Sequence, residues 1–301
     1  QKLFNRCFIV RIITLLRNIN ELIMFKHTIF ALPFIGIVLC LGVREMQAVP
    51  TATIVLAILC ATFARSFAMG FNRLVDRDID GKNPRTVTRP SVDGRVSLLS
   101  QIILITLYSI SFIACAYFIN ELAFKLSFIA LVLLASYSYM KRFTYLAHII
   151  LGICLAFAPL AGDIAINATI SLSSIWLGLG VLFWVAGFDI LYSLQDVDFD
   201  KQNNLHSVPV CFGVAKSIYI VHFFHILTGF FWIFFIQEVP LGIISQIGLG
   251  ICLMLIVYEN VLVRQSLDNI NRAFFTLNGW ISILFFIAIL LDIILVQVLP
   301  L

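Results

Sequence analysis

Charge is what this sequence has least of. Lys, Arg, Asp and Glu together make up 12% of its 301 residues, where a water-soluble domain carries about a quarter. With 61% hydrophobic residues and a mean hydropathy of +1.03, a soluble globule is excluded, and no nucleic-acid role is suggested. Paired cysteines are also missing. Cys7, Cys40, Cys60, Cys115, Cys154, Cys211 and Cys252 form no C-x-x-C pair and mostly lie inside apolar runs, so they read as small buried residues, not as disulfides or a zinc site.

What the chain does have is a succession of apolar runs able to cross about 30 Å of hydrocarbon. They fall at roughly 25–43, 51–71, 97–119, 122–140, 146–166, 173–194, 213–236, 240–262 and 273–299. The expected fold class is therefore all-α: a polytopic membrane protein with nine transmembrane helices bundled around a central cavity. Residues 1–22 mix Arg6, Arg11 and Arg17 with Phe4, Phe8, Ile9, Ile12 and Leu16, a basic amphipathic pattern suited to the cytoplasmic interface. Residues 23–301 form the membrane domain.

With the amino terminus inside, seventeen of the 20 basic residues fall on inner segments, from Lys2 and Lys26 to Arg264 and Arg272. The outer segments carry only Arg44 and Lys125, and Arg65 lies within a span. By the positive-inside rule the amino terminus is cytoplasmic and the carboxyl terminus outside, in a membrane of bacterial inner-membrane type.

The connections are short except at about 72–96 and 195–212, which are the two acidic stretches. Residues four apart share a helix face, so Asn72, Asp76 and Asp80 form one stripe, with Arg65 one level deeper. Asp189, Tyr192, Asp196 and Asp200 form another. Asp78 and Asp198 are two residues out of phase and read as solvated. A common offset of 120 relates Asn72 to Tyr192, Asp76 to Asp196 and Asp80 to Asp200. Two four-helix pseudo-repeats plus a ninth helix would produce it.

Carboxylates gathered in one cavity need counter-ions, since a charge at mid-membrane costs about 2.5–3.5 kcal/mol. Magnesium binds through one or two carboxylates and completes its shell with phosphate oxygens. Two Mg2+ ions shared by Asn72, Asp76, Asp80, Asp196 and Asp200 with a diphosphate would nearly balance the charge, the remainder falling to Arg65, Lys141, Arg142 and other loop cations. Three alternatives compete. D-R-D-I-D-G at 76–81 imitates a calcium loop, but position twelve is Val87 where a Glu is needed. The motifs could be solvated edge loops, or the site of a transporter or ion-binding channel, although transporter sites lie nearer the midplane. His222 and His225 have no acidic companion on their span and read as packing or hydrogen-bonding residues; His206 lies near enough to Asp200 to touch an acceptor.

The stretch N-R-L-V-D-R-D-I-D-G-K-N-P-R-T-V-T-R-P resembles the first signature of the UbiA superfamily of intramembrane prenyltransferases, N-x-x-x-D-x-x-x-D followed by R-T-x-x-R-P. Asp189, Tyr192, Asp196 and Asp200 resemble its second signature, and Tyr137, Lys141, Arg142 and Thr144 its Y-x-x-x-K-R-x-T segment. One departure is Ser91-Val92-Asp93-Gly94, where the family commonly has a Leu-Pro-(Ser or Ala)-Gly turn.

The resemblance implies Mg2+-dependent transfer of a polyprenyl group from its diphosphate to an aromatic acceptor in ubiquinone or menaquinone synthesis, with the bilayer accommodating the prenyl tail. It further implies catalytic roles for Asn72, Asp76, Asp80, Tyr192, Asp196 and Asp200, and substrate contacts for Lys26, Arg65, Arg85, Arg89, Tyr137, Lys141, Arg142 and Asp189. Tyr137, Tyr192 and Phe188 would face the allylic cation. Lys26-His27-Thr28, Ala31-Leu32-Pro33-Phe34, the Arg65 to Asn72 stretch and Leu205-His206-Ser207-Val208-Pro209 look more like the branch linked to menaquinone precursors through the futalosine route. A dihydroxynaphthoate is thus the expected acceptor over 4-hydroxybenzoate. Another family acceptor, such as haem, is a further alternative.

Orientation is testable without reference to any family. Single cysteines at Lys82 and Asn203 in a cysteine-free background should react with an impermeant thiol reagent only in inverted or permeabilised membranes. Labelling from the outer face at either position would overturn the topology.

Overall fold

Pro33 cannot donate a hydrogen bond to residue 29, which disfavours an unbroken helix from residue 25 through it. In the computed structural model, which describes residues 2–46, 49–266, 270 and 273–298, the expected first span accordingly divides. Helix α1 (Lys2–Ile23) ends at Met24, whose φ of 49° is left-handed; a 3-10 turn covers Phe25–Phe30, and α2 runs Leu32–Met46. Then come α3 (Thr51–Val75), the short α4 (Arg77–Asp80), α5 (Leu98–Ile119), α6 (Glu121–Met140), α7 (Ala147–Asn167) and α8 (Leu172–Ser193). A 3-10 turn at Leu194–Asp196 continues α8 into α9 (Val197–Gln202), followed by α10 (Val208–Phe212), α11 (Val214–Glu238), α12 (Ile243–Gln265), a π-turn at Ala273–Leu277 and α13 (Asn278–Val298). The described residues contain no strand. Arg272 and the side chains of Lys2, Arg6 and Arg11 lie outside the described part.

Caps set several of these boundaries. Ser97, Asn120 and Ser171 each accept an N–H from the first turn of the following helix, those of Ser100, Ala123 and Ser174, the role for which Ser and Asn are preferred. Among the described residues, eight helical stretches are long and apolar enough to cross a membrane, from Thr51–Val75 to Phe275–Leu295. The corresponding part of α2, Leu32–Arg44, is shorter. The expected count of nine therefore becomes eight long stretches and one short helix.

The pseudo-repeat is visible in the element order. Shifted by 120 residues, α3 falls on α8, α4 on α9, α5 on α11 and α6 on α12, while α2 falls within α7. Packing follows the same plan, α3 lying against α5 as α8 lies against α11.

The two halves differ in what fills them. Trp184, Trp232, Phe34, Phe235 and Phe285 are fully buried, in a cluster that joins α2, α8, α11 and α13; the Trp184 and Trp232 rings are 6.0 Å apart. Several polar groups within this half are hydrogen-bonded to one another. Trp184 Nε1–H donates to Asn278 Oδ1 at 2.8 Å, Asn278 Nδ2–H donates to Glu259 Oε1 at 2.6 Å, and His225 Nδ1 pairs with the Asn260 amide at 2.7 Å. His225 is thus the packing and hydrogen-bonding residue it was expected to be. In the first half the bundle interior is lined instead by alanines, among them Ala57, Ala61, Ala64 and Ala68 on α3. Small side chains there leave a cavity of about 270 Å³ bounded by α2, α3, α5, α6 and α7.

Close helix approach supports the join between α7 and α8. A Cβ on Gly152 would run into the Leu182 carbonyl, and one on Gly178 would meet the Ala156 carbonyl at 3.0 Å. Small residues let backbones meet in this way inside a membrane. Because a backbone atom cannot rotate aside, Gly152→Ala should cost about 1–3 kcal/mol through overpacking, read as a lowered unfolding temperature in detergent. Unchanged stability would show that α7 and α8 separate easily.

Candidate active site

Both acidic motifs sit where a long helix ends. Asp76 caps α3, its N–H bonded to the Asn72 carbonyl at 2.9 Å, and the Asn72 amide donates to Asp76 Oδ2 at 2.9 Å. The four-residue spacing therefore acts as expected. One turn on, Asp80 is buried and receives Arg89 Nη1 at 2.6 Å on both oxygens, with Arg73 at 3.9 Å. Residues 76–81 form a helical turn, not a calcium loop.

The second motif repeats the arrangement. Asp196 and Asp200 are buried, whereas Asp198 is exposed. Arg85, from the loop after the first motif, crosses to Asp196 and holds it with Nε at 3.1 Å and Nη2 at 2.6 Å, while Nη1 donates to the Tyr192 hydroxyl at 2.8 Å. Asn83 adds a donor to Asp196 at 3.4 Å. Charge-assisted bidentate pairs of this kind are about twice as strong as neutral hydrogen bonds, so one loop cation fastens the two halves together.

Between them lies the α6–α7 connection. Arg142 holds the exposed Asp78 at 2.7 and 3.1 Å, donates to the Val75 carbonyl at 2.7 Å, and stands 3.9 Å from Asp76 Oδ1. Asp78 thus faces outward to Arg142, as its phase implied. That hydrogen bond pulls the Asp78 carboxyl below its ordinary range. Burial pushes Asp76 upward, with Lys141 opposing. Burial would lower the Lys141 ammonium, but Tyr137, Asp200, Asp189 and Asp76 around it outweigh burial and raise it. Lys141 is therefore a common counter-charge for carboxylates of both motifs.

Toward the membrane the site meets the apolar cavity. Arg65 and Tyr137 line its inner end, and Tyr137 is within electrostatic reach of Asp189, Lys141, Asp76 and Arg65. Arg65 Nε is buried with no hydrogen-bond partner among the described residues.

The structure brings together Asn72, Asp76, Asp80, Arg85, Arg89, Tyr137, Lys141, Arg142, Asp189, Tyr192, Asp196 and Asp200. For two candidates the structure records contacts with other groups. Lys26 is exposed with Nζ 5.0 Å from the centroid of the Phe275 ring, and Phe188 packs against Phe30 and Trp184 in the aromatic core. Among the described residues no three His, Cys, Asp or Glu side chains form a closed metal cluster; arginines engage Asp76, Asp80 and Asp196 individually. Two polar contacts were not anticipated. Asn83 carried a signal, lying inside the first signature segment, whereas His148, which bonds Asp189 at 2.7 Å, was a lone histidine in an apolar run.

The pattern of the UbiA prenyltransferase family matches residues 31–290. The chain belongs to this family. Among its relatives, a 4-hydroxybenzoate octaprenyltransferase of Nitrosospira multiformis is 31% identical over 258 residues, covering 82% of this chain and 85% of that one. One of Alkalilimnicola ehrlichii is 30% identical over 249 residues, covering 79% and 81%. The fold is similar to that of the apo UbiA homologue from Aeropyrum pernix K1, with TM-score 0.79, 29% identity and coverage of 91% of this chain and 99% of the other. It is also similar to a UbiA homologue from Archaeoglobus fulgidus bound to DMAPP and Mg2+, with TM-score 0.74, 20% identity and coverage of 92% and 99%. This UbiA-family chain is accordingly a prenyltransferase and an integral membrane protein, and its membership decides against the transporter and channel alternatives.

The carboxylates of this prenyltransferase separate into site and edge. Asp76→Asn and Asp196→Asn should lower turnover by at least about 100-fold with extraction yield unchanged, while Asp78→Asn should cost much less. Equal losses in all three, measured on purified protein, would contradict that division.

Proposed function

We propose that this prenyltransferase joins a polyprenyl group, delivered as its diphosphate, to the ring of a phenolic carboxylic acid with the help of Mg2+. The observation that carries the reading is that two carboxylate motifs, cross-linked by Arg85 and neutralised jointly by Lys141, lie at the head of an apolar cavity. That arrangement accepts a polar head and a hydrocarbon tail together. The names of the relatives and the contents of the Archaeoglobus fulgidus structure point the same way.

Magnesium suits these residues. The donors are hard oxygens, and Asp76 Oδ1 is buried with no hydrogen-bond partner among the described residues. Asn72, Asp76, Asp80, Asp196 and Asp200 would hold the metal as two ions, and bound there it would withdraw charge from the departing diphosphate. The protein's own groups do the rest. Arg85, Arg89, Lys141 and Arg142 exchange carboxylate for diphosphate oxygens, Tyr137 and Tyr192 turn aromatic faces toward the developing allylic cation, and Arg65 receives the acceptor's carboxylate. The alanine-lined cavity excludes water from that cation. We place the carboxylate ends on the cytoplasmic side of a bacterial inner membrane, with residues 1–22 along its surface.

Relatives named for 4-hydroxybenzoate favour that acid; the segments flanking the site favour a dihydroxynaphthoate. Both present a carboxylate and a ring carbon beside a hydroxyl. Competition of the two acids for one labelled polyprenyl diphosphate, with products weighed by mass spectrometry, decides between them. Product should require a divalent cation. Turnover undiminished in excess chelator would remove the metal from the scheme, and absence of transfer to either acid would remove the acceptor class.

A further inference from the structure

His148 stands at the start of α7 and is 1% exposed. Its Nδ1 lies 2.7 Å from Asp189 Oδ2, and its Nε2 accepts the Val208 N–H at 3.4 Å. Because Nε2 accepts, the ring proton resides on Nδ1 and is donated to Asp189. One imidazole thereby joins α7, α8 and the segment that leads from α9 into the start of α10. That segment is tied to the site twice more, through His206 N–H to the Lys141 carbonyl at 2.8 Å and Leu205 N–H to the Asp200 carbonyl at 2.9 Å.

Asp189 differs from the carboxylates around it. Asp76, Asp78, Asp80 and Asp196 are each engaged by an arginine, whereas Asp189 is engaged by an imidazole. It also lies within electrostatic reach of Tyr137, at the cavity end of the site. Held by a buried ring, the Asp189 carboxylate has one oxygen engaged and its other oxygen without a hydrogen-bond partner among the described residues. Supporting groups of this kind orient the residues that touch substrate.

We propose that His148 is a positioning residue for the acceptor side of the site. Its Nδ1–H occupies Asp189 Oδ2 and leaves Oδ1 for the aromatic acceptor. Its Nε2 couples that carboxylate to residues 205–208, so the closing segment and the acceptor pocket are set together. The acceptor half of this inference rests on the function proposed above; the structural coupling does not.

The test uses full-length protein in detergent and two variants. His148→Leu removes both bonds, and His148→Asn keeps a donor near the Nδ1 position while losing the acceptor for Val208. His148→Leu should raise the KM for the aromatic acid about tenfold and leave that for the prenyl diphosphate within about twofold, with His148→Asn recovering most of the loss. Amide exchange at residues 205–208 should quicken in both variants. If His148→Leu does not fold, His148→Asn and His148→Gln carry the comparison. Equal rises in both KM values, or an asparagine variant as impaired as leucine, would overturn the positioning role, and unchanged exchange would overturn the coupling. Should the wild-type chain prenylate neither acid, the proposed function fails while exchange, with the ring tautomer from 15N spectra, still decides the role of His148.

Discussion

Like charges brought together at a membrane edge repel, and the low dielectric of the surroundings strengthens the repulsion. Every arrangement in the site answers that constraint. Arg89 and Arg73 face Asp80, Arg85 faces Asp196, Arg142 stands between Asp76 and Asp78, and the raised Lys141 ammonium lies among carboxylates from both motifs. The carboxylates converge because cations from the intervening loops separate them. Under the function we propose, a site balanced this way would exchange its internal ion pairs for a metal and a diphosphate without a large change in net charge.

That exchange depends on where the cations come from. Arg85 and Arg89 lie on the loop after α4, and Lys141 and Arg142 on the α6–α7 connection; none of these is on the helices that carry the carboxylates. Movement of either loop therefore changes the charge balance directly. The helices themselves are held by the aromatic cluster of the second half and by the close contact of Gly152 and Gly178 with neighbouring backbone, packing that resists deformation. A firm second half and an alanine-lined first half give one bundle both a scaffold and a chamber.

Much of this was legible in the residues. Apolar run lengths marked the spans, and the four-residue spacing of Asn72, Asp76 and Asp80 placed them on one face because helix geometry is local. The same spacing assigned Asp78 and Asp198 to the edge, where the structure has them exposed. The 120-residue offset foretold matching elements because a repeated motif at the ends of parallel spans reflects a repeated topology. The start of α2 was not read correctly: composition alone extended an apolar run across Pro33, although a missing N–H favours a break there.

Pairings between distant residues were beyond such reading. Arg85 with Asp196, and His148 with Asp189 and Val208, are separated by 111, 41 and 60 positions, and no local periodicity encodes them. Lys26 over the Phe275 ring and Phe188 against Phe30 are further contacts that no local pattern encodes. Periodicity and composition settle which residues share a face and which runs enter the membrane, because those follow from a helix of 3.6 residues per turn and from the cost of exposing polar groups to lipid. Which loop cation meets which carboxylate, and where small side chains leave a chamber, follows from how the helices pack, and packing is a property of the whole chain.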